Sequence, residues 1–441
     1  MTRRRILIEA DNLTLAAGTG IATYARNLAS SLRSMDYGTS ALVGSRWPLP
    51  TSNPVVNRMA FFDLAPNRKL QISTIMRMAF RSRFGAPFGV GTVPLMEAAA
   101  VLDPNPAQFA AFDDVNTVYR LHDQARYHFY VRGSPMRIHA PGPVDLFHAT
   151  QAIPLRVKGV PNVFTIHDLI PLRLPHTTLD EKKYIYGVFR KIARTADHIV
   201  TVSEHSRRDI LEIFDVPESR VTNTYQAVSL PTALTTRPFD DVAEDLAHLY
   251  GLEPRGYFLF VGAIEPKKNV GRIVDAFAAS GSKRKLIIAG SPAWMADDDL
   301  RKIDDERFRH YVVQGRTISQ SKRVERLSYV PFDNLVSLIR GARGLVFPSL
   351  YEGFGLPVLE AMMLGTPVIT SHVSSLPEIA GDAALLVNPK DTAELARAIR
   401  RLDADDDLAA ELSARGLRQA AKFGLDPYRE RLGAVYRSLL G

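Results

Sequence analysis

Short apolar runs alternate with longer amphipathic stretches along most of the chain. The runs at Arg5–Ile8, Thr39–Val43, Leu146–His148, Asn162–Ile166 and Ile199–Val202 are brief and bounded by polar or turn residues, as strands of a covered sheet are. A second set lies at Tyr257–Val261, Lys285–Ala289, Tyr311–Val313, Leu345–Phe347 and Pro367–Ile369. Between them, Tyr24–Leu32, Glu181–Thr195 and Val270–Ala279 repeat apolar residues at helical spacing. Strands alternating with helices predict parallel β/α units. The pattern occurs twice, on either side of 230–255. Pro231, Pro238, Pro254 and Gly256 mark that stretch as a linker with one short helix. The expected architecture is α/β: two doubly wound parallel-sheet domains, 1–235 and 236–426, facing a cleft. In such sheets ligands bind beyond the carboxyl ends of the strands, so chemistry is sought just after each strand.

A length of 441 residues suits two domains of this size, and 46% hydrophobic with 23% charged residues is ordinary for a globular chain. The absence of cysteine excludes disulfides, a thiol nucleophile, thiolate zinc sites and iron–sulfur clusters. No apolar run is long enough to span a bilayer. The N-terminus does not read as a signal peptide, because Glu9 and Asp11 interrupt the apolar run after Arg3, Arg4 and Arg5. The expected location is therefore the cytoplasm. The net charge of +8 falls entirely within the first 230 residues. It is densest over 66–89, where Arg68, Lys69, Arg77, Arg81 and Arg83 occur among apolar residues without an acid. That segment fits an amphipathic helix on the inner, anionic face of the membrane, and equally a solvated helix packed on the domain.

The most informative segment is Pro348–Ala361. A buried strand enters a turn with Gly353 and Gly355, Pro357 sits in the first turn of a helix, and Gly365 ends that helix. Glycines let backbone N–H groups approach a ligand, and a helix N-terminus suits a diphosphate. Glu352 precedes the helix and Glu360 lies one turn inside it. Two Glu separated by seven residues around Gly-Phe-Gly-Leu-Pro closely resemble the signature of glycosyltransferase family 4, the retaining nucleotide-sugar enzymes of GT-B fold. Gly262–Asn269, after a strand, is similar to that family's diphosphate-binding element, with Lys268 at the diphosphate-pairing lysine. Ala263 stands where a basic residue is frequent. Ala289–Trp294, Phe347–Ser349 and Leu376–Asp382 also match. The resemblance covers nearly all of 255–400 and only islands of the first half.

The resemblance implies two Rossmann-like domains and a last helix, 427–441, that crosses back to the N-terminal, acceptor-binding one. It implies donor binding by Gly18, Gly20, Gly262, Lys267, Lys268, Glu352, Gly353, Phe354, Gly355, Leu356 and Glu360. His167, which opens a His-Asp pair at a strand end, would contact the donor sugar through ring or carbonyl, with Asp168 orienting the ring or the loop. His167, Glu352 and Lys268 are the catalytic candidates. Ser203 reads as a helix cap. His122 and His148 rank below His167. Charge developing on the leaving diphosphate would be met by Lys268, backbone N–H groups and the helix end, without a metal or other cofactor. Asp297–Asp299 and Asp405–Asp407 read as solvated helix flanks.

The implied activity is retaining hexosyl transfer, with GDP-mannose favoured and UDP- or dTDP-sugars such as rhamnose open. The implied acceptor is a saccharide or lipid-linked saccharide of polysaccharide biosynthesis; nucleic acid is not an expected partner. Three alternatives are set against this. A non-catalytic nucleotide-sugar-binding protein would have little use for an intact Glu352, Glu360, Lys268 and His167. A dehydrogenase or epimerase would need a third glycine after Gly18-Thr19-Gly20 and an acidic residue after the second strand, and this sequence lacks that glycine. A glycosidase would have to draw both carboxylates from one strand–turn–helix junction.

Overall fold

The computed structural model describes residues 3–14, 20–45, 76, 80, 89–97, 106–140, 142–314 and 317–441. The segment 66–89 and Gly18 therefore lie almost wholly or wholly outside the described residues.

The first sheet has eight strands: β1 (Arg5–Glu9), β2 (Gly38–Ser45), β3 (Val93–Glu97), β4 (Asp114–Tyr119), β5 (Leu146–Ala149), β6 (Asn162–Ile166), β7 (His198–Thr201) and β8 (Val221–Asn223). They lie in the order β8-β7-β6-β5-β1-β2-β4-β3, parallel except for the edge strand β3. The second sheet has six: β9 (Tyr257–Val261), β10 (Lys285–Ala289), β11 (Val324–Leu327), β12 (Gly344–Phe347), β13 (Val368–Ser371) and β14 (Ala384–Val387). These run in the order β11-β10-β9-β12-β13-β14, all parallel.

Both sheets are covered on both faces, which is why their strands read as continuous apolar runs. In β1, Ile6 and Ile8 join one core cluster while Leu7 joins another on the opposite face. Every predicted run forms a strand, within one or two residues at each end. One is placed differently. The run at Tyr311–Val313 belongs to Arg309–Gln314, which pairs antiparallel with Thr317–Lys322 as a separate hairpin. Its place beside β10 is taken by β11, whose sequence Val-Glu-Arg-Leu carries too little apolar signal to stand out. Strand β4 hides for a related reason: its polar Asp114 and Asn116 are satisfied by Ser40 of the adjacent β2 and by Arg5 of β1 beyond it.

The linker holds two helices rather than one, Thr232–Thr235 and Phe239–Tyr250. Pro231 and Pro238 are their N-caps, where a missing N–H costs nothing. Val242 and Leu246 bury the second helix. No helix among the described residues is long and apolar enough to cross a membrane.

The final helix, Leu425–Leu440, packs on the first domain as the fold expectation requires. Arg431 Nε donates to the Thr224 carbonyl at 2.9 Å, and Arg4 reaches the carbonyl of Gly441 at 2.8 Å. Inside, Tyr436 OH lies 2.6 Å from His148 Nδ1, His148 Nε2 is 2.8 Å from Thr165 Oγ1, and Thr165 Oγ1 is 2.9 Å from Tyr24 OH. Burial pushes the His148 imidazole down to about 3, so the ring is neutral and structural. Tyr436→Phe removes one link and strands a buried ring nitrogen. It should lower stability by about 1–3 kcal/mol, read as a drop in the urea midpoint at unchanged slope.

Candidate functional site

The site grows from two strand ends of the second domain. β12 runs into Pro348–Gly355, and that turn is tied down from the neighbouring strand end. Ser374 Oγ accepts the Glu352 N–H at 3.0 Å, and Ser375 Oγ donates to the carbonyls of Glu352 and Phe354 at 3.0 and 2.8 Å. Gly355 adopts φ 111°, a region side chains disfavour, and so launches the helix Leu356–Met363 with Pro357 in its first turn. Val358, Leu359, Ala361 and Met362 anchor that helix in the core.

β9 supplies the other half. After Gly262, whose φ is 142°, the chain makes a single turn of 3-10 helix over Pro266–Lys268. A Cβ on Gly290 would stand 1.9 Å from the Gly262 carbonyl oxygen, so only glycine allows the two loops to cross. Asn269 is left-handed, and its side-chain amide donates to the carbonyls of Pro348 and Pro389 at 3.1 and 2.6 Å. This lock sets both lysines. Lys268 Nζ donates to Glu352 Oε1 at 2.6 Å and lies 4.8 Å from the centre of the Phe347 ring. Lys267 Nζ lies 3.4 Å from Glu265 Oε1.

The electrostatics follow from burial and charge. Burial alone pushes the Glu352 carboxyl up, but Lys268 and Lys267 outweigh it and hold it below the usual carboxylate range. Burial likewise pushes Lys267 down, and Glu352, Asp168 and Glu265 reverse the sign. Glu360 has no such partner. It is half-buried, carries no side-chain hydrogen bond among the described residues, and burial pushes its carboxyl up to about 7.

The first domain closes against this loop. A Cβ on Gly353 would meet the His167 carbonyl oxygen at 2.6 Å and Asp168 Cβ at 3.0 Å, so that glycine permits the approach. Ser206 Oγ donates to the His167 carbonyl at 2.8 Å. His167 Nε2–H donates to the Thr150 carbonyl at 2.8 Å, and the ring meets Tyr24 edge-on at 5.0 Å. Burial keeps the imidazole neutral, which leaves Nδ1 as an acceptor. Asp168 accepts the Ile170 N–H at 3.0 Å; it orders the loop, while the Thr150 carbonyl orients the ring. Ser203 accepts the Ser206 N–H at 3.0 Å as the N-cap of Glu204–Ile213. Glu378 of the second domain adds to that cap, accepting the N–H groups of Glu204 and His205 at 2.8 and 3.2 Å.

His167, Asp168, Lys267, Lys268, Glu352 and Gly353 thus share one place between the domains. Gly262 and Gly355 frame it, and Gly20, the first residue of the helix Gly20–Ser34, sits over Leu356. Phe354 turns its ring into the core against Phe423, so only its backbone is left for a ligand. Sequence reasoning missed Glu378, the Ser374–Ser375 clamp and Glu9. The last is a fully buried carboxylate at the end of β1, which the sequence shows only as a charge that ends an apolar run.

Two family models match the chain: glycosyl transferases group 1 over residues 250–419 and glycosyltransferase family 4 over 101–230. O-antigen chain mannosyltransferase B of Escherichia coli is 34% identical over 268 residues, which cover 59% of this chain and 66% of that protein. The serotype-specific mannosyltransferase WbdA of Escherichia coli is 29% identical over 279 residues, and there the chain spans only 33% of its relative. D-inositol 3-phosphate glycosyltransferase of Frankia alni is 30% identical over 314 residues, 65% of this chain and 72% of that protein. Among solved structures, sucrose-phosphate synthase of Thermosynechococcus elongatus superposes with a TM-score of 0.64 at 17% identity, covering 99% of both chains; at that identity the likeness speaks for the fold. The chain belongs to glycosyltransferase family 4 and has the GT-B fold.

Proposed function

We propose that the protein transfers a hexosyl group, mannosyl by preference, from a nucleoside-diphosphate sugar to a saccharide acceptor, with retention of anomeric configuration. The observation that carries this is the largely buried Lys268–Glu352 pair beside Lys267, at the N-terminus of a glycine-launched helix and facing His167. The names of its mannosyltransferase relatives support a mannosyl donor and an O-antigen-like acceptor; we take the donor as GDP-mannose and the acceptor as a surface polysaccharide, free or lipid-linked. Synthesis at the cytoplasmic face of the membrane fits that acceptor.

In this reading the anomeric C–O bond breaks and its electron pair passes to the diphosphate oxygen. Lys268, Lys267 and the backbone N–H groups of Gly353–Leu356 meet that charge where it develops. These cationic groups take the part that a metal plays elsewhere, so chelators should leave turnover unchanged. Glu352 exchanges part of its hold on Lys268 for sugar hydroxyls. His167 Nδ1 accepts another hydroxyl. The acceptor oxygen attacks on the same face, and its proton goes to the departing phosphate.

Lys268→Ala and Glu352→Gln should each lower kcat by about 100-fold or more while the far-UV spectrum stays native. Near-wild-type turnover in both would remove the site assignment. A thermal-shift screen of GDP, UDP and dTDP identifies the base, since a ligand of the native state raises its melting temperature.

Glu360 gives a pH signature. Its folded carboxyl titrates near 7, above the ordinary value, so its contribution to stability is complete below about pH 4.5 and is lost as pH rises through 7. Ribose hydroxyls donating to this group favour the carboxylate. Binding of an intact nucleotide sugar near pH 6.5, where its diphosphate is already fully ionised, should therefore release a fraction of a proton, measured by calorimetry in buffers of different ionisation enthalpy. Glu360→Gln should abolish the release.

A further inference from the structure

The edge of the first sheet that meets the second domain carries a connected run of polar side chains. β6 leads to His167, β5 to Thr150 and Gln151, β1 ends in Glu9, and β4 leads to His122. Hydrogen bonds join them. The Thr150 hydroxyl lies 2.9 Å from the Glu9 carbonyl and 3.1 Å from Glu9 Oε2. Glu9 Oε1 accepts the Asp11 N–H and a Gln151 Nε2–H, each at 3.1 Å. His122 Nε2 stands 3.3 Å from Glu9 Oε1 and 3.3 Å from Asp11 Oδ2.

A fully buried carboxylate is an expensive way to end a strand whose preceding residues, Ile6, Leu7 and Ile8, are all apolar and buried. Burial pushes Glu9 up, but His122, Gln151 and the Asp11 N–H hold it below the usual range. Burial pushes His122 down, and Glu9, Asp11 and Asp123 reverse this to about 9, so the ring is an imidazolium at neutral pH. Glu9 thus fixes the orientation of two neighbours whose outer atoms are left over. His122 Nδ1–H and the Gln151 side-chain carbonyl carry no hydrogen bond among the described residues, and the His122 side chain is 39% exposed. The two side chains are neighbours, with His122 Nε2 and Gln151 Nε2 3.3 Å apart, and the donor of one and the acceptor of the other match the hydroxyls of a sugar. The carboxylates of Asp11 and Asp123 beside the imidazolium disfavour an anionic ligand and leave a neutral polyol as the fitting class.

We propose that His122 and Gln151 form a binding subsite for the saccharide acceptor, with Glu9 as the positioning residue that aims them. The cluster reaches His167 through Thr150, so a sugar held there lies next to the donor side of the cleft. This rests on the glycosyl-transfer reading above.

The test is steady-state kinetics with the nucleotide sugar that most stabilises the protein, held saturating. Methyl α-mannoside and the α-1,2-, α-1,3- and α-1,6-mannobiosides serve as acceptor probes. His122→Gln and Gln151→Ala should raise the acceptor KM by about tenfold or more, with kcat within about threefold and nucleotide Kd within about twofold. Glu9→Gln should raise the acceptor KM alike without weakening nucleotide binding, a split that a merely structural role would not produce. If Glu9→Gln fails to fold, the two partly exposed positions still decide the matter. An unchanged acceptor KM in both His122→Gln and Gln151→Ala overturns the proposal. So does wild-type protein that binds and hydrolyses the donor yet glycosylates none of the probes. Wild-type protein that binds no nucleotide sugar overturns the glycosyl-transfer reading instead.

Discussion

The ion pair between Lys268 and Glu352 sits where water is largely excluded, and the arrangement of the cleft depends on it. A buried pair is a poor source of stability, because desolvating two charges costs about as much as their attraction returns. Its value is that neither group has to be brought in from water when a ligand arrives. The lysine is already charged and already aimed, and the carboxylate that holds it can turn to a sugar. Lys267 adds a second, half-buried cation, kept charged by the carboxylates around it. Such prepaid organisation is what a reaction that throws charge onto a leaving diphosphate needs.

Everything around the pair holds the two loops that carry it. Asn269 staples the lysine turn to the strand ends at Pro348 and Pro389. Ser374 and Ser375 clamp the Glu352 turn. The opposite domain then arrives within contact distance of Gly353, with Ser206 on the His167 carbonyl and Glu378 on the N-terminus of Glu204–Ile213. Ser206 Oγ also reaches the Gly353 carbonyl at 3.4 Å and the Tyr351 hydroxyl meets Asp209, so together with Glu378 these hydrogen bonds cross between the domains at the cleft, where two bodies must open for substrates to enter and leave.

How much of this was legible in the sequence depended on how local each feature is. The strands buried on both faces, and the strand–turn–helix at Leu345–Ala361, showed in order because burial and turn chemistry act on adjacent residues. β4 and β11 did not show, since their polar residues are satisfied by partners far away in sequence. The same holds for Glu9 and Glu378, whose roles come from N–H groups and side chains on other elements. His148 illustrates the converse: a histidine at a strand end proved to be a link to Tyr436, 288 residues later.

The most direct measurement is a crystal structure with an intact nucleotide sugar bound. The account predicts diphosphate oxygens within hydrogen-bonding distance of Lys268 Nζ and of the backbone N–H groups at Gly353–Leu356, with Glu352 turned to the sugar. A nucleotide sugar bound elsewhere, with the Lys268–Glu352 pair undisturbed, would contradict it.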